Sequence, residues 1–252
     1  MHRYFIELAY KGTHFCGWQL QPNGITVQGE LERVMTLLLR EPVRLTGAGR
    51  TDSGVHASCF VAHFDASSEE LHKDVTLLYK LNQLISSDIS VYRIYPVASD
   101  AHARFDAVSR TYQYRIAKVK NPFTIELAYH LYRPLDMEAM NTAAKILPEY
   151  TDFTSFSKLH GNAVTNLCRL TEAYWAENVQ SKELTFTITA NRFLRNMVRA
   201  VVGTMLEIGL GKRLPEDIRQ IIEAKDRSAA GTSAPPQGLY LTNIVYPCKT
   251  RL

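Results

Sequence analysis

Cysteine is scarce and scattered in this chain: Cys16, Cys59, Cys168 and Cys248, with no C-x-x-C pair. That spacing favours reduced thiols in a cytoplasm over a disulfide framework or a zinc site. His56, Cys59 and His63 cluster along the sequence but lack a fourth ligand, so no structural metal is expected there. Long apolar runs are also missing. None reaches the roughly 18 residues of a membrane span. The first twenty positions carry Arg3, Glu7, Lys11 and His14, so no signal peptide is expected. There is no strong excess of one charge. The net charge of +4 is mildly basic and does not by itself establish nucleic-acid binding. No low-complexity linker divides the chain, and 252 residues suffice for one large domain or two small ones.

Two familiar glycine motifs are absent as well, although glycines cluster at Gly47, Gly49 and Gly54. A dinucleotide fingerprint needs G-x-G-x-x-G opening a helix, whereas Val55 to Phe64 has an extended pattern. A phosphate-binding loop needs Lys-Ser or Lys-Thr after its last glycine, and neither follows Gly54. What the turn does contain is Arg50 and Asp52, a base and an acid two residues apart between apolar extended stretches. An aspartate bonding its own backbone in a tight turn accounts for part of this pattern. A functional loop carried on strands accounts for it equally well.

The apolar periodicity gives the same order of elements twice. In the first half, Arg3–Tyr10 alternates as a strand and Val27–Arg40 is a helix capped by Thr26. Extended stretches near 43–48 and 57–64, a helix over Lys73–Ile85 and a strand over Ile89–Tyr95 follow. In the second half, a strand carries Tyr112, Tyr114 and Ile116 on one face, and residues 127–133 extend or pair with it. Asp136 caps a helix over Met137–Leu147, strands span 168–177 and 183–190, and a helix runs over Leu194–Ile208. A helix from Pro215 and a strand over Leu239–Tyr246 complete the half. The order β-α-β-β-α-β is that of the ferredoxin-like split unit. The expected fold is α+β: two such halves, 1–105 and 106–252, forming an extended antiparallel sheet with helices on one face. The open face would be a platform for RNA. Segments 64–73, 158–166 and 228–238 have loop composition.

A second constellation is Asn191-Arg192-Phe193-Leu194-Arg195-Asn196-Met197-Val198-Arg199. Helical spacing would put Arg192, Arg195 and Arg199 on one side, where like charges oppose each other unless something anionic compensates. Gly203 continues that side and permits close backbone approach.

The run GAGRTDSGVHA at 47–57 resembles the active-site segment of TruA-type tRNA pseudouridine synthases. Further runs agree in order: GWQLQPNGITVQGELE at 17–32, HARFDA at 102–107, RTYQY at 110–114, DFTSF at 152–156, FLRNMVRAVVG at 193–203 and APPQGLYL at 234–241. The resemblance implies an isomerase that converts uridine to pseudouridine at positions 38, 39 and 40 of the tRNA anticodon stem-loop. It implies a homodimer with no metal and no nucleotide or other cofactor. By the same resemblance Asp52 is the nucleophile, Arg50 and Arg199 belong to the active site, Tyr112 contacts the substrate and Leu241 lies on the apolar wall. Arg199 is then expected to pair with Asp52, and Arg192 and Arg195 to contact RNA phosphates. Two other classes compete: a nucleic-acid glycosidase using Asp52, and a non-catalytic RNA-binding protein on the same fold. A glycosidase generally needs two carboxylates, and no second acid lies near Asp52 in sequence.

Overall fold

The computed structural model describes residues 1–158 and 165–247. Cys248 and most of the 158–166 loop lie outside the described residues. The elements in order are β1 His2–Tyr10, α1 Val27–Leu39, β2 Thr46–Gly47, β3 His56–Ala66, α2 Val75–Leu84, β4 Ile89–Pro96 and β5 Ser109–Ala117. They continue with β6 Tyr129–His130, α3 Met137–Ile146, β7 Leu170–Asn178, β8 Glu183–Ala190, α4 Met197–Gly209, α5 Asp217–Ala224 and β9 Leu239–Val245. The fold is α+β with mostly antiparallel strands, and the expected order of elements appears twice. By contacts the chain forms two compact units: Met1–Ser109 with Leu241–Leu252, and Arg110–Tyr240.

In the first unit β1 is the central strand. It pairs antiparallel with β3 on one side and β4 on the other, and β2 adds to β3. Alternation puts Tyr4, Ile6, Leu8 and Tyr10 on one face, in register with Phe64, Ala62, Phe60 and Ala57, and all eight are buried. The Thr26 hydroxyl caps α1 by accepting the Gly29 N–H at 3.2 Å. Asp74 caps α2 by accepting the N–H groups of Thr76 and Leu77 at 2.9 and 3.2 Å. Strand β2 is shorter than the 43–48 stretch expected from its pattern. The backbone before it bonds to α1 instead: Val43 N–H to the Thr36 hydroxyl and Leu45 N–H to the buried Glu32 carboxylate.

In the second unit β8 lies between β5 and β7, and β6 pairs in parallel with β5. Tyr114, Phe186 and Trp175 lie in register on one buried face. Helices cover that face. The Trp175 indole N–H reaches Met205 Sδ of α4 at 3.2 Å, and Asn141 of α3 bonds the Trp175 backbone at both ends, at 2.8 and 3.1 Å. The opposite face carries Gln113 and Arg115 beside Thr187 and Thr185.

One expected boundary is wrong. The helix expected from Leu194 starts at Met197, because Asn196 sits in the left-handed region at φ 66° and cannot continue a helix backward. Arg192 and Arg195 therefore precede α4, and Arg199 alone of the three is helical. Their shared helix side does not exist. The apolar rhythm misleads here because Leu194, Met197, Val198 and Val201 are all buried, with or without helix.

Candidate active site

The Arg50–Asp52 segment lies between β2 and β3, and the backbone around it is tied down at Ala48, Thr51, Asp52, Gly54 and Val55. Ala48 N–H donates to the Val61 carbonyl at 2.8 Å, and the Thr51 carbonyl accepts the Trp18 N–H at 3.3 Å. The buried Thr51 hydroxyl meets the Tyr10 hydroxyl at 3.0 Å. Ser53 Oγ and Gly54 N–H both donate to the Phe15 carbonyl, at 3.2 and 3.3 Å. Val55 N–H closes the turn on the Asp52 carbonyl at 3.1 Å. Behind the turn, Trp18 stacks on Phe60 at 4.1 Å between ring centroids. Gly17, at φ +82°, lets the chain pass against the Thr51 carbonyl, which a Cβ would strike. The result is a carboxylate, Asp52, half-buried on a fixed backbone, with Arg50 exposed beside it. Such fixation is what a reacting group needs, since its geometry is set before substrate arrives.

Leu241 lies on β9 and is 1% exposed. Tyr112 and Arg199 belong to the other unit. Tyr112 is half-buried on β5, its ring edge-on to Phe193 at 5.1 Å. Tyr114 shares its face but is fully buried, and its hydroxyl donates to the Pro235 carbonyl at 2.8 Å. Being fully buried, Tyr114 is packing, and the same burial pushes its phenol far above its ordinary pKa, whereas Tyr112 is partly exposed.

Arg199 stands in the first turn of α4 and is held by the segment before β9. Its Nε–H donates to the Ala234 carbonyl at 2.7 Å, and its own carbonyl accepts the Ala234 N–H at 2.8 Å. Asn196 bonds Ser233 at 2.6 Å, Gly231 N–H reaches the Thr204 hydroxyl at 2.9 Å, and Gly203 abuts the Thr232 carbonyl. The close approach expected at Gly203 is thus to the chain itself. Within segment 228–238, loop-like in composition, residues 230–234 form a strap packed against the start of α4. Of the other two arginines, Arg192 is half-buried and Arg195 exposed.

The two histidines of the sequence cluster have structural work. His56 Nδ1 accepts the Gly12 N–H at 2.9 Å, and His63 Nδ1 accepts the Ala103 N–H at 3.1 Å. Among the described residues, no group of three or more His, Cys, Asp or Glu is arranged to hold a metal ion. Sequence reasoning missed the Phe15–Trp18 clamp, the Phe193 ring beside Tyr112 and the 230–234 strap. Their partners lie tens of residues away, where no local spacing signals them.

Comparison with known proteins agrees with the motif reading. The profile of the tRNA pseudouridine synthase family matches residues 143–247. A protein of Porphyromonas gingivalis called tRNA pseudouridine synthase A is 53% identical over 247 residues, covering 98% of each chain. Proteins of the same name from Bacteroides fragilis and a Geobacillus species are 53% and 42% identical, over 98% and 95% of this chain and 97% and 96% of their own lengths. Identity of this degree along nearly the whole length shows the family: the chain belongs to the tRNA pseudouridine synthase family.

Proposed function

We propose that the protein isomerises uridine to pseudouridine at positions 38, 39 and 40 of the tRNA anticodon stem-loop, with Asp52 as nucleophile. The observation that carries the reading is the single carboxylate of the GRTD turn, half-buried on a backbone fixed by Tyr10, Phe15, Trp18 and Val61. The reaction breaks the bond from ribose C1′ to uracil N1 and forms one from C1′ to C5. C5 loses its proton, N1 gains one, and nothing is oxidised or hydrolysed. Asp52 supplies an attacking or proton-accepting oxygen. Tyr112 presents an accessible ring and hydroxyl to the uracil. Leu241 belongs to the apolar wall. Arg50 and Arg199 serve the active site, Arg50 toward a phosphate or the extracted nucleotide, Arg199 toward Asp52. Arg192 and Arg195 contact phosphates. Taking the uridine out of its stack costs a few kcal/mol, which arginine–phosphate contacts offset.

The same reading takes the protein as a homodimer of the cytoplasm, working without metal or nucleotide cofactor. Among the described residues no helix is long and apolar enough to cross a membrane. The deciding experiment incubates the purified protein with unmodified tRNA and maps pseudouridine along it. Modification at the three positions is expected. Release of free uracil would instead identify a glycosidase, and binding without any change in the RNA a non-catalytic protein. Light scattering of the same preparation tests the dimer.

A further inference from the structure

The three glycines around Arg50 and Asp52 have different reasons to be glycine. Gly47 is walled in: a Cβ there would lie 2.6 Å from Trp18 Cε2 and 2.9 Å from Phe60 Cε1. Gly54 turns the chain at φ +77°. Gly49 has neither reason. Its φ lies outside the left-handed region, so no positive φ calls for glycine there. Apart from Gly49 itself and its chain neighbours Ala48 and Arg50, no heavy atom among the described residues comes within 4 Å of where its Cβ would stand. Alanine would fit without a clash and would reduce the freedom of the unfolded chain, which favours the folded state. The free protein therefore gains nothing from a glycine here.

We infer that the space beside Gly49 is occupied by the RNA substrate, whose sugar–phosphate backbone packs on the bare Cα. The inference rests on the proposed function. It adds a substrate contact that neither the arginines nor Asp52 supply. Its location supports it: Gly49 is half-buried, adjoins the exposed Arg50 and lies three residues before Asp52 on the same tethered turn. A cation beside an uncrowded backbone suits a phosphodiester, because the charge attracts it and the missing side chain lets the ribose approach closely. The contact is steric. Its loss should weaken binding equally at all salt concentrations, unlike loss of an arginine, which changes the salt slope.

The test compares the parent with Gly49→Ala and Gly49→Val. Melting temperature, affinity for unmodified tRNA across a salt series, and single-turnover rate are measured for each. Gly49→Ala is expected to melt at or above the parent temperature. Affinity should fall with side-chain size, about tenfold or more for Gly49→Val, with the slope of log affinity against log salt unchanged. Both variants binding tRNA like the parent would overturn the inference. So would a Gly49→Ala melting temperature several degrees below the parent's, since glycine would then be a folding requirement. The parent's own turnover separates the two readings: a parent that binds tRNA but makes no pseudouridine refutes the proposed function, while the affinity series still decides the role of Gly49.

Discussion

Thr51 is buried and Asp52 only half-buried, although they are neighbours, and this difference is what makes the turn usable. Thr51 faces Tyr10 and accepts the Trp18 N–H, so it anchors the turn to the first strand and the Phe15–Trp18 segment. Asp52 rides on that anchor with its carboxylate partly accessible. Asp52→Asn keeps size and shape while removing the charge. It should lower the rate by on the order of a thousandfold or more, with melting temperature and tRNA affinity near those of the parent. A purified Asp52→Asn protein with near-parental turnover would remove this residue from the nucleophile role. Tyr112 supports a second, graded prediction. Its ring packs edge-on to Phe193, so Tyr112→Phe preserves packing and removes only the hydroxyl. If the ring alone matters, single-turnover rates survive this change. If the hydroxyl moves a proton, they drop by about a hundredfold or more. Tyr112→Ala should impair the enzyme in either case, and an unchanged rate and affinity in that variant would place Tyr112 outside the site.

At the scale of elements, the arginine segment shows where sequence patterns lose their grip. The caps at Thr26 and Asp136 follow from local rules, because one side chain decides each. So does the prominence of Arg50 and Asp52, an acid and a base confined among glycines. The start of α4 does not follow. Its apolar rhythm reaches back to Leu194, while a single left-handed residue, Asn196, delays the start of the helix to Met197. Nor does composition identify the 230–234 strap, whose hydrogen bonds to Arg199 and Thr204 are tertiary. The correction alters the physical basis for assigning the arginines. Arg199 is immobilised by Ala234 through two hydrogen bonds, whereas Arg192 and Arg195 lie on the irregular approach to the helix. On the proposed role of Arg199 beside Asp52, Arg199→Ala should therefore reduce the rate at saturating tRNA, since a fixed cation is lost. Arg192→Ala and Arg195→Ala should each weaken binding and lower the salt slope by about one contact. Three single variants, measured for affinity across salt and for single-turnover rate, separate these outcomes. An Arg199→Ala protein with a parental saturated rate would end the proposed pairing with Asp52. The packing of Gly203 on the Thr232 carbonyl adds a stability prediction. Gly203→Ala should destabilise the protein by about 1–3 kcal/mol, the usual cost of overpacking, which a denaturant midpoint would show.

For the molecule as a whole, a net charge of +4 says little about function, because many charges are spent internally. Arg3 pairs with Asp65 at 2.8 Å, Arg93 with Glu7 and Arg219 with Glu149, both at 2.5 Å. Part of the pH dependence of stability comes from a buried neutral group. His63 is 7% exposed, and its Nδ1 accepts the Ala103 N–H, which requires that nitrogen to be unprotonated. Burial, then the charges of nearby His102 and Arg3, bring its pKa from 6.5 down to about 4 against the opposing pull of Asp65 and Asp106. Because the folded pKa lies below the unfolded one, the unfolded chain binds more protons between these values. The contribution of His63 to stability is thus complete above about pH 6.5 and is lost as the pH falls toward 4. Over the whole window it amounts to about 3 kcal/mol, of which about 2 kcal/mol should be gone by pH 5. The paired carboxylate of Asp65 acts lower, since Arg3 holds it below the usual carboxylate range and its loss needs stronger acid. His63→Gln retains an acceptor for the Ala103 N–H without an ionisable ring. Denaturant unfolding of parent and variant at pH 7.5 and pH 5 gives the comparison. The parent should lose about 2 kcal/mol more than the variant between the two pH values. Equal losses would mean that His63 is not held neutral by the fold, and that the acid sensitivity of the protein arises elsewhere.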